Sequence, residues 1–431
     1  MAVRPMEGLY YGVGRWNAGW YALMAMLLVF VAVGVFAYSV QLTQGEVVTG
    51  LRDIGTMGGA AWGLYVAFVV YFVGVSFAGM TIAALIRLFD LEDLRPVSRM
   101  AELLTIIALI LGALSVLADV GQPLRALINL PRYGRPMSPF FGTFTLVLSG
   151  YLFASLVYLY LDGRRDAAIC AERTQGALKR FYRFWAAGYG DTPAERQRHE
   201  RATFWLALAI LPLLVVAHST LGVVFGLQIG RPGWYSALQA PGFVILAGVS
   251  GIGHLIVIAA IFRRLLGERE RLNLKLFQWL GNILLVLTIT YLYFMLIEWL
   301  TSTYAANYHE ARISRAILTG EYAAIFWLSV ASLVVPLVLL FLQFVTGRYS
   351  VGLIVLSGAV VNLAAIGKRY LIVVPSQTHG TLLPYGVGSY SPTWVEASVI
   401  LGLLGLGALC YTIFMKVFPI MGIPETARGG R

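Results

Sequence analysis

The chain has 431 residues, of which 59% are hydrophobic and 12% charged, with a formal net charge of +11 and a mean hydropathy of +0.77. That balance excludes a set of soluble domains and reads as a membrane protein. Nucleic-acid binding is a poor use of the positive charge, because the basic residues cluster beside apolar runs, as in IFRRLLGERERLNLK at 261–275.

Ten apolar runs follow one another: about 20–40, 61–88, 103–120, 141–161, 204–225, 243–262, 277–300, 321–345, 351–374 and 395–417. Each approaches the roughly 20 helical residues that cross a hydrocarbon core of about 30 Å. The alternation of a polar-lined β-barrel is absent, so an all-α integral membrane protein with ten transmembrane helices is predicted. No small-residue cleavage site follows the first run, which is read as a retained span. With ten spans, one face carries both termini and the 2–3, 4–5, 6–7 and 8–9 loops, and it holds 23 of the 32 Lys and Arg. Both termini are therefore predicted to be cytoplasmic. The longest loop on that face, 162–203, mixes nine basic with six acidic residues and is expected to form surface helices with no catalytic role.

An internal echo suggests how the spans group. WGLYVAFVVYFVGVSFAG in the second span and PGFVILAGVSGIGHLIVI in the sixth align Gly63 with Gly242 and Gly74 with Gly253. Two parallel four-helix units would account for this, spans 2–5 at 61–225 and spans 6–9 at 243–374, with spans 1 and 10 outside them. Chance, or small-residue packing common to both helices, accounts for it equally well.

Ionisable residues at membrane depth are costly and mark candidate sites. Asp119 closes the third span, where the negative end of the helix dipole disfavours a carboxylate. Arg125, past the GQP helix stop, is the nearest candidate for a salt bridge to it. Asp119 reads either as a solvated interface acid or as a proton acceptor. His218, in LLVVAHSTLGVVFG, lies in apolar surroundings that favour a neutral ring unless an acid is close; it reads as a core histidine or as a proton acceptor. His254 lies in the sixth span, Glu298 near the end of the seventh, and Glu396 opens the tenth. Gly248, Ser250 and Gly251 fall near one face of the sixth span, where they permit either close helix packing or a groove for a flat ring. Trp234 and Tyr235 suit an interfacial aromatic belt. The two cysteines, Cys170 and Cys410, form no CxxC pair, so no iron–sulfur, zinc or disulfide framework is encoded.

Four stretches, taken in order, resemble the NrfD/PsrC family of polysulfide-reductase-type membrane subunits. They are DVGQPLR with SPFFG (119–142), His218–Ser219, RPGW with APGFVILAGVSG (231–251), and GKRYLIVVPSQTHG with YSPTWVEAS (367–398). The ten-span length is similar to hydrogenase-associated members and to the large membrane subunits of alternative complex III. The resemblance implies a quinone or quinol (menaquinone or ubiquinone) site near the outer face, in the first four-helix unit. The matching positions are Asp119 and His218, expected to exchange protons, and Arg125 in the pocket, with Tyr390 and Glu396 matching the C-terminal motif; Ser219, and Gly248, Ser250 and Gly251 from the groove reading, complete the quinone-binding candidates. The family's Gly-Arg-Pro is Gly-Gln-Pro here, which at Gln122 removes one cation near Asp119.

It also implies a bacterial or archaeal cytoplasmic membrane, an external ferredoxin-like iron–sulfur subunit, and a further catalytic or cytochrome subunit, with a second NrfD-like subunit in the larger assemblies. No metal and no covalently bound redox cofactor is expected in this chain, so electrons must leave to a partner. His254, Glu298 and Glu396, with Glu321, are candidates for a second proton path. Two other functions remain open at this point: a proton-coupled secondary transporter, and a haem-bearing cytochrome b anchor using His218 and His254.

Overall fold

A computed structural model describes residues 10–54, 61–133, 144–304, 308–380 and 387–423; these are predominantly helical, with no strand among them. Ten helices in the described residues are long and apolar enough to cross a membrane. In chain order the helices are α1 (Ala18–Gln44), α2 (Leu64–Phe89), α3 (Ser98–Asp119), α4 (Pro123–Tyr133), α5 (Thr145–Arg173), α6 (Gly176–Ala186), α7 (Pro193–Gly226), α8 (Gln239–Leu265), α9 (Leu274–Tyr304), α10 (Tyr308–Leu318), α11 (Ala323–Thr346), α12 (Val351–Val373), α13 (Pro375–Thr378) and α14 (Trp394–Val417). α4, α6, α10 and α13 are the short ones.

Local sequence explains many of the ends. α7 and α14 each open on a capping box, Thr192 with Glu195 and Thr393 with Glu396, in which side chain and backbone satisfy one another's free donors. Asp90 and Gly347 end α2 and α11 in the left-handed conformation.

Two four-helix bundles form, α2 with α3, α5 and α7, and α8 with α9, α11 and α12; α1 and α14 pair beside them and reach the first bundle through α3. The bundles meet where α2 packs on α8 and α12. Burial follows this order. Of the most apolar stretch of α2, 83% is inside the protein, against 17% for α1, so α2 is the hub and α1 lies at the periphery.

Water drives no association between helices inside a bilayer, so close approach through small residues takes over. A Cβ on Gly34 of α1 would come within 2.7 Å of the Cα of Gly402 in α14, so that crossing tolerates no side chain.

The first and last described residues, α6 and the 6–7 connection gather at one end, here termed the basic end. Lys416 Nζ donates to the Gly12 and Arg15 carbonyls there, and Tyr182 Oη donates to the Val417 carbonyl. Segment 162–203 is helical, as expected, but its inner face does more than cover the surface. Asp162 and Asp166 of α5 hold the buried Arg99 of α3 at 2.9 Å each. Trp234 is not part of an interfacial belt. It is buried at 3% exposure, stacks on Trp62 with ring centroids 5.5 Å apart and donates to the Ile372 carbonyl, while Tyr235 is exposed.

Candidate functional site

At the end of the bundle opposite the basic one, the far end, the last turns of α1 and α3 and the first turns of α2 and α14 converge on three carboxylates: Glu46, Asp119 and Glu396. Gln41 organises them. Its Nε2 donates to Glu46 Oε1 and to the Ala118 carbonyl, both at 2.9 Å, and its Oε1 accepts from Tyr65 Oη at 2.7 Å. Glu46 Oε2 and Asp119 Oδ1 are both buried with no hydrogen-bond partner, and the charges of Glu46 and Glu396 both reach Asp119. Burial holds the Glu46 carboxyl above its ordinary range, opposed by the Gln41 hydrogen bond and helped by the Glu396 charge. An orphaned buried carboxylate oxygen is expensive unless it carries or shares a proton.

Glu396 has a different duty. Fully buried, its Oε2 accepts from the Gly50 and Thr393 backbone amides at 2.8 and 3.0 Å, and its Oε1 accepts from Tyr390 Oη. Tyr390 Oη in turn accepts the Leu64 amide at 2.6 Å. This pair ties the start of α14 to the chain entering α2.

The salt bridge expected between Asp119 and Arg125 is not formed. The chain restarts as α4 at Pro123 and leaves Arg125 exposed, with its carbonyl accepting from Asn129. No ion pair of Asp119 occurs among the described residues, and Gln122 is likewise exposed. The SPFFG stretch lies outside the described residues.

His218 lies deeper. Its Nε2 is 2.7 Å from the Val73 carbonyl of α2 and its Nδ1 is 2.8 Å from the Leu214 carbonyl, with the Phe77 ring at 4.8 Å. Val73 is eight residues into α2 from Tyr65, or about 12 Å at the α-helical rise, so His218 and Asp119 do not meet. Two carbonyls face the two ring nitrogens, and a neutral ring donates to one of them. They also occupy both positions from which a haem iron would be ligated, and among the described residues no group of three His, Cys, Asp or Glu gathers for a metal. Ser219 follows on α7, half-buried.

From His218 a line of polar groups runs towards the basic end through the first bundle. Ser76 Oγ donates to the same Val73 carbonyl, and Tyr151 Oη and Thr105 Oγ1 both donate to the Ser76 carbonyl, at 2.8 and 2.9 Å. One turn below Thr105 is Glu102, with no exposure. Its Oε1 accepts from Ser98 Oγ at 2.9 Å and its Oε2 has no partner. Ser98, Arg87, Arg99, Asp162 and His199 then line a cavity of about 260 Å³ at the basic end. Sequence reading overlooked Glu102 because it sits one turn into a span whose first turn is polar, where an acid looks interfacial.

The small-residue face of α8 is filled by protein rather than open as a groove. A Cβ on Gly251 would meet Ala78 and the Val75 carbonyl of α2 at 2.5 and 2.6 Å, and one on Gly248 would meet Leu287 of α9 at 3.0 Å. Ser250 Oγ bonds back to the Ala247 carbonyl at 3.2 Å. His254 packs edge-on to Tyr71, whose hydroxyl donates to Asn362 Oδ1 at 3.1 Å, between α2, α8 and α12. Glu298 is not isolated, since Lys368 Nζ lies 2.7 Å from its Oε2. Lys368 and Arg369 went unnoticed although they stand inside an apolar run; GKRY, read as part of a motif, hid two cations at depth.

The polysulphide reductase NrfD family model matches residues 53–379, about three quarters of the chain. This chain belongs to the NrfD family. Several NrfD-type relatives match along nearly their whole length. It is 28% identical to a putative dimethyl sulfoxide reductase membrane subunit of Halobacterium salinarum, covering 99% of this chain and 96% of that one. It is 27% identical to a selenate reductase subunit of Mesobacillus selenatarsenatis, covering 91% and 93%. It is 25% identical to the Hdr-like menaquinol oxidoreductase integral membrane subunit of Archaeoglobus fulgidus, covering 95% of each. The NrfD match contains Asp119, His218 and the Glu298–Lys368 pair, whereas Glu46 and Glu396 lie outside its bounds.

Proposed function

We propose that this NrfD-family chain is the quinone-reactive membrane subunit of a multi-subunit oxidoreductase complex, exchanging protons with quinol or quinone at the far end. The single observation that carries the reading is the pair of buried, unpartnered carboxylate oxygens, Glu46 Oε2 and Asp119 Oδ1. Relatives named as subunits of dimethyl sulfoxide reductase, selenate reductase and a menaquinol oxidoreductase support it. Quinol, when bound, supplies two electrons and two protons. Asp119 Oδ1 and Glu46 Oε2 are the acceptors for those protons, or their donors in the reverse direction. Gln41 holds Glu46 in place, and the Tyr390–Glu396 pair ties the start of α14 to the chain entering α2. With the basic end cytoplasmic, the site faces outward, where an iron–sulfur subunit exchanges the electrons and passes them to or from a further catalytic or cytochrome subunit.

Proton coupling is part of the same proposal. The line from His218 through Tyr151, Ser76 and Thr105 to Glu102 gives the first bundle a polar route to the cytoplasmic cavity. His218 opens the line between the Val73 and Leu214 carbonyls, and Glu102 Oε2 is the acceptor at its other end.

Labelling with an azido-quinone tests the location. Label on the α1–α2 turn around Glu46 and on the α3–α4 junction around Asp119 is the expected result. Label confined to the second bundle would overturn the assignment.

A further inference from the structure

The second bundle holds a separate cavity of about 270 Å³ at the far end, walled by α8, α9, α10 and α12, with Met295, Trp299, Ile317, Phe326 and Leu371 among its apolar lining. Its inner end is polar. Lys368 reaches it from α12 and is paired with Glu298. The next residue, Arg369, lines a narrower recess continuous in lining with the cavity through Glu298 and Lys368. Arg369 is 2% exposed, lies 4.2 Å over the Phe243 ring, and spends Nη2 on the Phe243 carbonyl at 3.2 Å. Its Nη1 is buried and unpartnered. Ser376, also 2% exposed, lines the main cavity with an equally unpartnered hydroxyl.

With Glu298 matched by Lys368, the guanidinium of Arg369 is left as a buried cation with open donors and no carboxylate of its own. Such a group is costly at depth unless an anionic oxygen meets it, and the planar fork of arginine suits phosphate. The rest of the lining is mostly apolar, as acyl carbons require.

We propose that this cavity is a phospholipid site, with the headgroup phosphate held by Arg369, Lys368 and Ser376 and the chains leaving along the apolar wall. It is distinct in place and in ligand charge from the Glu46–Asp119 site, since a quinone is neutral and would leave Arg369 uncompensated. Bound lipid would brace α10 and the end of α9 against the second bundle.

Native mass spectrometry of the purified complex tests this, with wild type beside Arg369→Gln, Ser376→Ala and the cavity-filling Ile317→Trp, each exchanged into phosphatidylethanolamine or phosphatidylglycerol vesicles before detergent extraction. The expected result is one tightly held phospholipid in wild type, lost in Arg369→Gln and Ile317→Trp and weakened in Ser376→Ala. Equal lipid retention in all four proteins would overturn the proposal. A parallel thermal-unfolding series on delipidated complex uses inorganic phosphate as the probe. A shift with phospholipid and none with phosphate supports a lipid site, whereas an equal shift with phosphate alone overturns the lipid in favour of a soluble anion.

Discussion

The imidazole Nε2 of His218 and the carbonyl oxygen of Val73 stand 2.7 Å apart, joining α7 to α2 in the interior of the first bundle. The ring's other nitrogen faces the Leu214 carbonyl, so this contact fixes the ring between the two helices. His218→Phe is expected to lower stability by on the order of 1 kcal/mol, the usual scale of an interhelical polar contact in a membrane. Thermal unfolding of the detergent-purified protein measures it.

The Arg99 network is a larger hazard. Arg99 is 2% exposed and held by Asp162 and Asp166, with Nη1 also donating to the Pro419 carbonyl at 3.0 Å. Arg99→Gln would leave two carboxylates buried and short of charge. A loss of about 3–5 kcal/mol is expected, read as poor accumulation of the folded chain and a lowered unfolding temperature. Asp166→Asn, which keeps the shape, should cost less.

Glu46 gives a prediction in pH. Burial raises its carboxyl in the folded protein, so the folded state binds its proton more tightly than the unfolded chain does. The stabilisation that this provides is complete below the ordinary glutamate range and is lost as pH rises through the elevated folded value. Glu46→Gln, which cannot ionise, should therefore lack that decline, and its stability relative to wild type should increase across this window. Unfolding temperatures recorded for both proteins from acid to neutral pH check the sign; parallel curves would show that Glu46 titrates normally.

Glu102→Gln tests the route to the basic end. Fully buried and hydrogen-bonded through only one oxygen, Glu102 tolerates an amide sterically. Assembly should be intact while proton uptake from the basic side, followed with a pH dye in proteoliposomes, falls by about 100-fold, the lower range for loss of a positioned acid or base. Uptake at the wild-type rate would remove Glu102 from the path.

Span number and class were legible in the sequence because run length and the absence of alternation fix them. Asp119 was legible for the same reason, as an acid at a helix end that disfavours it. Its surroundings were not. Arg125 is six residues away along the chain, but a new helix at Pro123 turns it outward, while Glu46 is distant in sequence and sits in a short turn that reads as an ordinary polar connection. Glu396 was visible as an ionisable group, yet the Thr393-x-x-Glu396 spacing already described its capping duty. The stripe at Gly248 and Gly251 fits packing and a groove equally well from sequence alone; the positions of α9 and α2 decide between them. Lys368 and Arg369 show the converse, two cations masked by the apolar run around them.

Quinol oxidation by the purified complex carrying Asp119→Asn, at matched protein concentration, is the most direct test of the central claim. Asparagine keeps the size of the side chain and removes its capacity to take a proton at Oδ1. Turnover should fall by about 10²- to 10⁴-fold with assembly and azido-quinone labelling unchanged; turnover at the wild-type rate would contradict the placement of proton exchange at Asp119 and Glu46.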